Sequence, residues 1–124
     1  MIQKIASQKA PAAIGPYSQA ARTGGLLFTS GQIPVDPASG EVAGGGIQGQ
    51  ARQVMENLSA VLAAGGASFD SVVKTTCFLA DMGDFGAFNE VYAQYFPGKP
   101  ARSCVAAKAL PKGVLVEVEV IAAV

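Results

Sequence analysis

The sequence predicts an α+β sandwich, a single β-sheet with two helices packed on one face, in the order β-β-β-α-β-α-β-β. Three observations carry this. Two segments repeat apolar residues at helical spacing, six short segments read as strands, and no linker or low-complexity stretch divides the 124 residues. A chain of this length builds one core, so residues 1–124 are expected to form a single domain.

The elements follow in order. A short strand, Ile2 to Ala6, precedes the irregular SQKAPAAIGP. Ser18–Arg22 and Leu26–Ser30 flank Thr23-Gly24-Gly25, a hairpin turn in which glycine accepts positive φ. VDPASGEVAGGG is expected to be loop, as are the glycines of GGGIQG. From Ile47, apolar residues recur at Ala51, Val54, Met55, Leu58, Val61 and Leu62, one buried helical face that Gly65-Gly66 terminates. The β-branched SVVKTTCFLADM predicts a strand. A second helix runs from Asp84, the expected N-cap, to Phe96, where Pro97-Gly98 stops it. Strands over Ala101–Ala107 and Val114–Ala122 complete the chain.

The last strand has two unlike faces. Side chains alternate along a strand, so Val114, Val116, Val118 and Val120 share one side, and Leu115, Glu117, Glu119 and Ile121 the other. The valine side belongs under the helices. The mixed side suits a subunit interface that contains a polar pocket.

Composition points the same way. Half the residues are hydrophobic and 15% are charged, against roughly 25% in an average chain, so part of the apolar surplus is expected to be buried in a homo-oligomer. Nine basic and nine acidic residues cancel, with no basic stripe, so nucleic acid is not an expected partner. The N-terminus lacks the apolar run of a secretion signal, and nothing approaches the ~20 apolar residues of a membrane span. A cytoplasmic protein with no membrane partner is expected, and Cys77 and Cys104 are expected to be reduced thiols.

The chemistry is narrowed by what is missing. Without histidine there is no Ser-His-Asp or Cys-His nucleophile, and two distant cysteines do not make a zinc set. GGGIQG lacks the Lys-Ser/Thr of a P-loop and the preceding strand of a dinucleotide fingerprint. No metal or cofactor is expected. Arg102, Glu117 and Glu119 remain, with hydroxyls and backbone groups. Arg102 shares its strand face with Cys104 and has two readings. It forms a structural ion pair with a strand glutamate, or it holds a planar carboxylate on its paired N–H donors.

Several stretches carry a resemblance. They are Ala10-Pro11-Ala12-Ala13-Ile14-Gly15-Pro16-Tyr17-Ser18-Gln19, Thr29-Ser30-Gly31-Gln32-Ile33-Pro34, Gln50-Ala51-Arg52-Gln53 with Asn57-Leu58, and Val73-Lys74-Thr75-Thr76. Phe88-Asn89, Pro100-Ala101-Arg102-Ser103-Cys104-Val105, Leu110-Pro111-Lys112 and Glu117 complete them. Nearly end to end, the chain resembles the RidA/YjgF-like family of reactive-intermediate deaminases, in the subgroup with both the arginine and the cysteine. The resemblance implies a chorismate-mutase-like sandwich, assembled as a homotrimer around a central barrel, with sites in the clefts between subunits. It also implies that the last strand inserts elsewhere in the sheet, although its closeness in sequence to the preceding strand suggests a hairpin.

The implied activity is hydrolysis of 2-imino acids or their enamine tautomers, such as 2-aminoacrylate and 2-iminobutanoate, to 2-oxo acids and ammonia. By resemblance Arg102 holds the substrate carboxylate, Glu117 orients the attacking water, and Tyr17, Ser30, Gly31, Asn89 and Cys104 line the cleft. Each has a plainer reading. Cys104 and Cys77 pack in the core, Tyr17 caps a loop, Ser30 and Asn89 serve a turn and a helix end, and Glu119 competes with Glu117 or pairs across an interface. The protein-level alternatives are a non-catalytic, carboxylate-binding regulatory trimer and a translation-inhibiting ribonuclease.

Overall fold

The structure, a computed structural model, describes all residues, Met1–Val124. Six strands form one mixed sheet: β1 (Gln3–Ile5), β2 (Ala20–Thr23), β3 (Leu26–Thr29), β4 (Val72–Leu79), β5 (Ala101–Ala106) and β6 (Val116–Ala123). Helix α1 (Gly46–Ala64) lies between β3 and β4 in sequence, and α2 (Phe85–Tyr95) between β4 and β5. The spatial order is β1-β2-β3-β6-β4-β5. The β4–β5 pair is parallel and the others are antiparallel.

Both helices cover the same side. Val54, Leu58 and Leu62 of α1 and Phe88 of α2 are fully buried in one cluster with Val116 and Val118 of β6. Each such side chain removed from water contributes roughly 1.5–3 kcal/mol. Helix α1 has no acidic residue in its first turn and no basic residue in its last, so this packed face carries its stability. No helix is long and apolar enough to cross a membrane.

The last strand does not form a hairpin with β5. It lies between β3 and β4, while α2 carries the chain over the sheet so that β5 joins β4 in parallel. Burial explains the placement. The valine face of β6 needs a central position, whereas β5 has no fully buried residue and takes an edge.

The Thr23-Gly24-Gly25 turn forms as expected, with φ of 56° at Gly24 and 81° at Gly25. Other local expectations need correction. The glycine-rich stretch is not all loop, because α1 starts at Gly46 and includes Gly49. Asp84 makes no side-chain cap. Asp81 accepts a 2.8 Å bond from Gly83 N, closing the short 3-10 turn (Met82–Asp84) that leads into α2. Strand β6 begins two residues after Val114, because Pro111–Gly113 forms another 3-10 turn; Val114 is nonetheless buried.

Candidate active site

Strand register decides which way Arg102 points. On β5, Arg102 lies opposite Thr75 of β4 and Cys104 opposite Cys77, and cross-strand partners share a face. Thr75 and Cys77 are fully buried, so Arg102 and Cys104 lie on the helix side. There the Arg102 guanidinium meets α2. Its Nη1 donates to Asn89 Oδ1 at 2.7 Å, and its central carbon lies 4.7 Å from the Tyr92 ring centroid and 5.3 Å from that of Phe85.

An open groove of about 330 Å³ runs from Arg102 and Asn89 past Tyr92 and Phe96 to Lys99, and no acidic residue lines it. Within one chain, Arg102 therefore forms no ion pair with a strand glutamate. Glu117 faces Phe78 and Glu119 faces Thr76 across β4–β6, which puts both on the opposite side of the sheet. The hydrogen-bond partner of Arg102 is a neutral amide, and its charge stays uncompensated.

Glu117 rises from the helix-free face. Residues after β3 run beside it, held by Gln32 N donating to Val118 O (2.8 Å) and Val118 N to Gln32 O (3.1 Å). This bridge presses the Gly31 backbone against the Glu117 carboxylate, and a methyl group at position 31 would overlap Oε2. Tyr17, Ser30, Gly31 and Glu117 line a shared depression of about 360 Å³. Ser30 Oγ donates to Ser18 O at 2.6 Å, which leaves the hydroxyl oxygen able to accept. Burial pushes the Glu117 carboxyl above the usual carboxylate range, and the like charge of Glu119 adds to the shift.

Two buried amides shape this depression, and sequence reading gave them no role. Gln19 Nε2 donates to Pro11 O (2.7 Å) and Ser7 O (3.1 Å), while its Oε1 accepts from Ser7 N, tying down the N-terminal loop. Asn57 Nδ2 donates to Ile33 O and Val35 O, both at 3.0 Å, fastening the segment after Gly31 to α1. A signal for Asn57 exists in the sequence, since it interrupts an apolar face between Val54 and Val61. A buried amide there needs partners.

The cysteines are free thiols. Burial, then the neighbouring Cys104, pushes Cys77 up to about 12. Burial also raises Cys104 above the ordinary thiol value, although Arg102 opposes the shift. Both stay protonated at neutral pH, so neither has the character of a nucleophile.

The chain thus brings the expected residues together as two groups rather than one. Arg102, Asn89 and Cys104 lie on the helix side, and Tyr17, Ser30, Gly31 and Glu117 on the bare side.

A helix-backed mixed sheet with these motifs defines an α+β sandwich class, and the family follows from comparison. The Endoribonuclease L-PSP family model matches residues 7–124, and the chain belongs to this family, that of the RidA/YjgF proteins. It is 52% identical over 123 residues to a RutC family protein of Pyrococcus horikoshii, covering 98% of each chain. It is 50% identical over 119 residues to the 2-iminobutanoate/2-iminopropanoate deaminase of Mus musculus, covering 95% of this chain and 88% of that one. Among solved structures, E. coli TdcF with bound serine superposes with a TM-score of 0.93 at 45% identity, covering 98% of both chains.

Proposed function

We propose that this protein is a deaminase that hydrolyses small 2-imino acids, or their 2-enamino tautomers, to 2-oxo acids and ammonia. The observation that carries the reading is the uncompensated guanidinium of Arg102, held by neutral Asn89 in a groove without acidic residues. Such a group binds a planar carboxylate through paired N–H donors. Two relatives support the reading: one is named as a deaminase of such imines, and the other holds serine, itself a small amino acid with a carboxylate.

The chemistry asks little of the protein. A protonated imine is already electrophilic, so alignment and modest charge stabilisation carry the acceleration. In this reading Arg102 anchors the carboxylate, with the Cys104 backbone and Gly31 beside it. Glu117 takes a proton from water as the oxygen bonds to the imine carbon, forming a tetrahedral amino alcohol. Glu117 returns that proton to the nitrogen; as the C–N bond breaks and ammonia leaves, Glu117 accepts the hydroxyl proton, the C=O bond forms, and the proton passes on to solvent. A carboxyl held above its usual range suits both steps. No metal or cofactor enters.

The two groups of residues leave opposite faces of the sheet, so one site containing both needs two copies of the chain. We therefore propose a homotrimer in which the helix-free faces, with Phe28 and Val105 exposed, meet around the centre. We propose a cytoplasmic location, where pyridoxal-phosphate enzymes release such imines. A ribonuclease is not proposed: net charge is zero and histidine is absent.

The test is 2-oxo acid release from enzymatically generated 2-aminoacrylate. Arg102→Ala is expected to lose the acceleration and keep the oligomer. Unchanged turnover in that variant refutes the assignment, and binding of 2-oxobutanoate without turnover in the wild type favours the regulatory trimer.

A further inference from the structure

We propose that Tyr92 is a positioning residue that sets the plane and direction of the Arg102 guanidinium. The starting point is a mechanical problem. An arginine on an edge strand, with four rotatable side-chain bonds and no carboxylate partner, has one side-chain hydrogen bond to fix it, the bond to Asn89. A single contact leaves the fork free to turn about that axis.

The Tyr92 ring supplies the missing constraint. The guanidinium carbon lies 4.7 Å from its centroid, and the Phe85 ring adds a second aromatic contact at 5.3 Å. A π face attracts the cation without neutralising it and leaves the in-plane N–H donors unused. A carboxylate in the same place would fix the arginine equally well but would occupy those donors.

The ring is itself fixed. Tyr92 OH and Thr75 Oγ1 are hydrogen-bonded at 2.8 Å, and Thr75 is fully buried. Thr75 is also the β4 residue directly opposite Arg102. Strand pairing, hydroxyl bond and ring contact therefore close a triangle through Arg102, Thr75 and Tyr92. The Phe88 and Phe96 rings, at 5.7 and 4.6 Å, hold the tyrosine from its other sides. The consequence for turnover rests on the reading of Arg102 as the carboxylate anchor; the positioning does not.

The chain has three arginines, Arg22, Arg52 and Arg102, so its arginine side-chain NMR spectrum has three Nε–H signals, and guanidinium rotation can be followed at each without ligand. Slow rotation at Arg102 is expected in the wild type and fast rotation in Tyr92→Leu, with Arg22 and Arg52 unmoved. In parallel, the Kd for 2-oxobutanoate is expected to rise roughly three- to thirtyfold in Tyr92→Leu. Tyr92→Phe, which keeps the ring and loses the Thr75 bond, is expected to recover most of that affinity. Should Tyr92→Leu not fold, the less buried Phe85→Leu carries the same test with a smaller change. Arg102 rotation that is already fast in the wild type, or unchanged without either ring, overturns the proposal. Slow rotation in a wild type that binds no 2-oxo acid leaves the positioning intact and defeats the proposed function instead.

Discussion

Arg102 and Glu117 leave opposite faces of the same sheet, on strands separated only by β4. Arg102 pairs with Thr75 and Glu117 with Phe78, and along β4 these positions point to opposite sides. One chain cannot turn both groups toward a single small molecule. If they act together, they come from different copies.

Mixing inactive variants tests this directly. Arg102→Ala and Glu117→Ala are each expected to be inactive alone. Refolded together in equal amounts into the proposed trimer, they are expected to give rings in which about a quarter of the interfaces join an intact arginine to an intact glutamate. Roughly a quarter of wild-type activity is therefore expected from the mixture. A mixture as dead as its parents would mean that both residues must act from one chain, whereas a parent that is active alone would mean that its substituted residue has no role.

Glu117 also makes a pH prediction. Its carboxyl is raised by burial and then by Glu119, so the folded state holds a proton that the unfolded chain has released. The sign follows: the group's contribution is intact below the ordinary carboxylate range and is lost as pH rises through the elevated pKa. Glu117→Gln should be more stable than the wild type at pH 7, with the two converging as pH falls through the carboxylate range. Thermal melts across that window decide it, and a glutamine variant less stable at pH 7 contradicts the assigned shift. Activity should run the other way, falling in the wild type as Glu117 takes up a proton.

Some of this arrangement was legible in the sequence. The alternation of β6 gave both the valine face under the helices and the glutamates on the other side, because period-two patterning is local. The periodic faces of α1 and α2 were local too. The partner of Arg102 was not legible, since a cation among strands carrying glutamates reads equally well as an ion pair. Only the register of β5 on β4, set by the crossover through α2, separates them. Phe85 and Tyr92 lie on the packed face of α2; that their rings also meet the guanidinium is a tertiary fact that no local pattern reports. The Asp84 cap failed for a different reason. Asp81, three residues earlier, closes a turn first, so α2 begins without a side-chain cap.

Asn57 should matter to stability and to the site. Its amide donates to two backbone carbonyls, Ile33 O and Val35 O, and ties the segment after Gly31 to α1. Asn57→Leu keeps the volume and leaves Val35 O unpaired, while Ile33 O keeps the 2.8 Å bond from Val35 N; the loss is about 1–3 kcal/mol. Denaturant titration should register that loss. Deaminase activity should fall beyond what unfolding explains, because Gly31 stands two residues before Ile33. A loss below ~0.5 kcal/mol would mean that water replaces the amide and that the loop is not held from the helix.

Lys99 offers a test of the groove's electrostatics. It shares the groove with Arg102 and is exposed at its rim, in a short turn whose Lys99 N donates to Phe96 O at 3.2 Å. Residues three apart lie within about 10 Å, so reversing the Lys99 charge changes the attraction for a carboxylate at Arg102 by about 0.8 kcal/mol in a water-like medium. Lys99→Glu should therefore raise KM about threefold to fourfold at low salt and leave kcat nearly unchanged. The difference should fade toward 1 M salt, where screening acts within ~3 Å. A fall in kcat that salt does not relieve would show that the turn shapes the site by its backbone, and that charge at the rim is incidental.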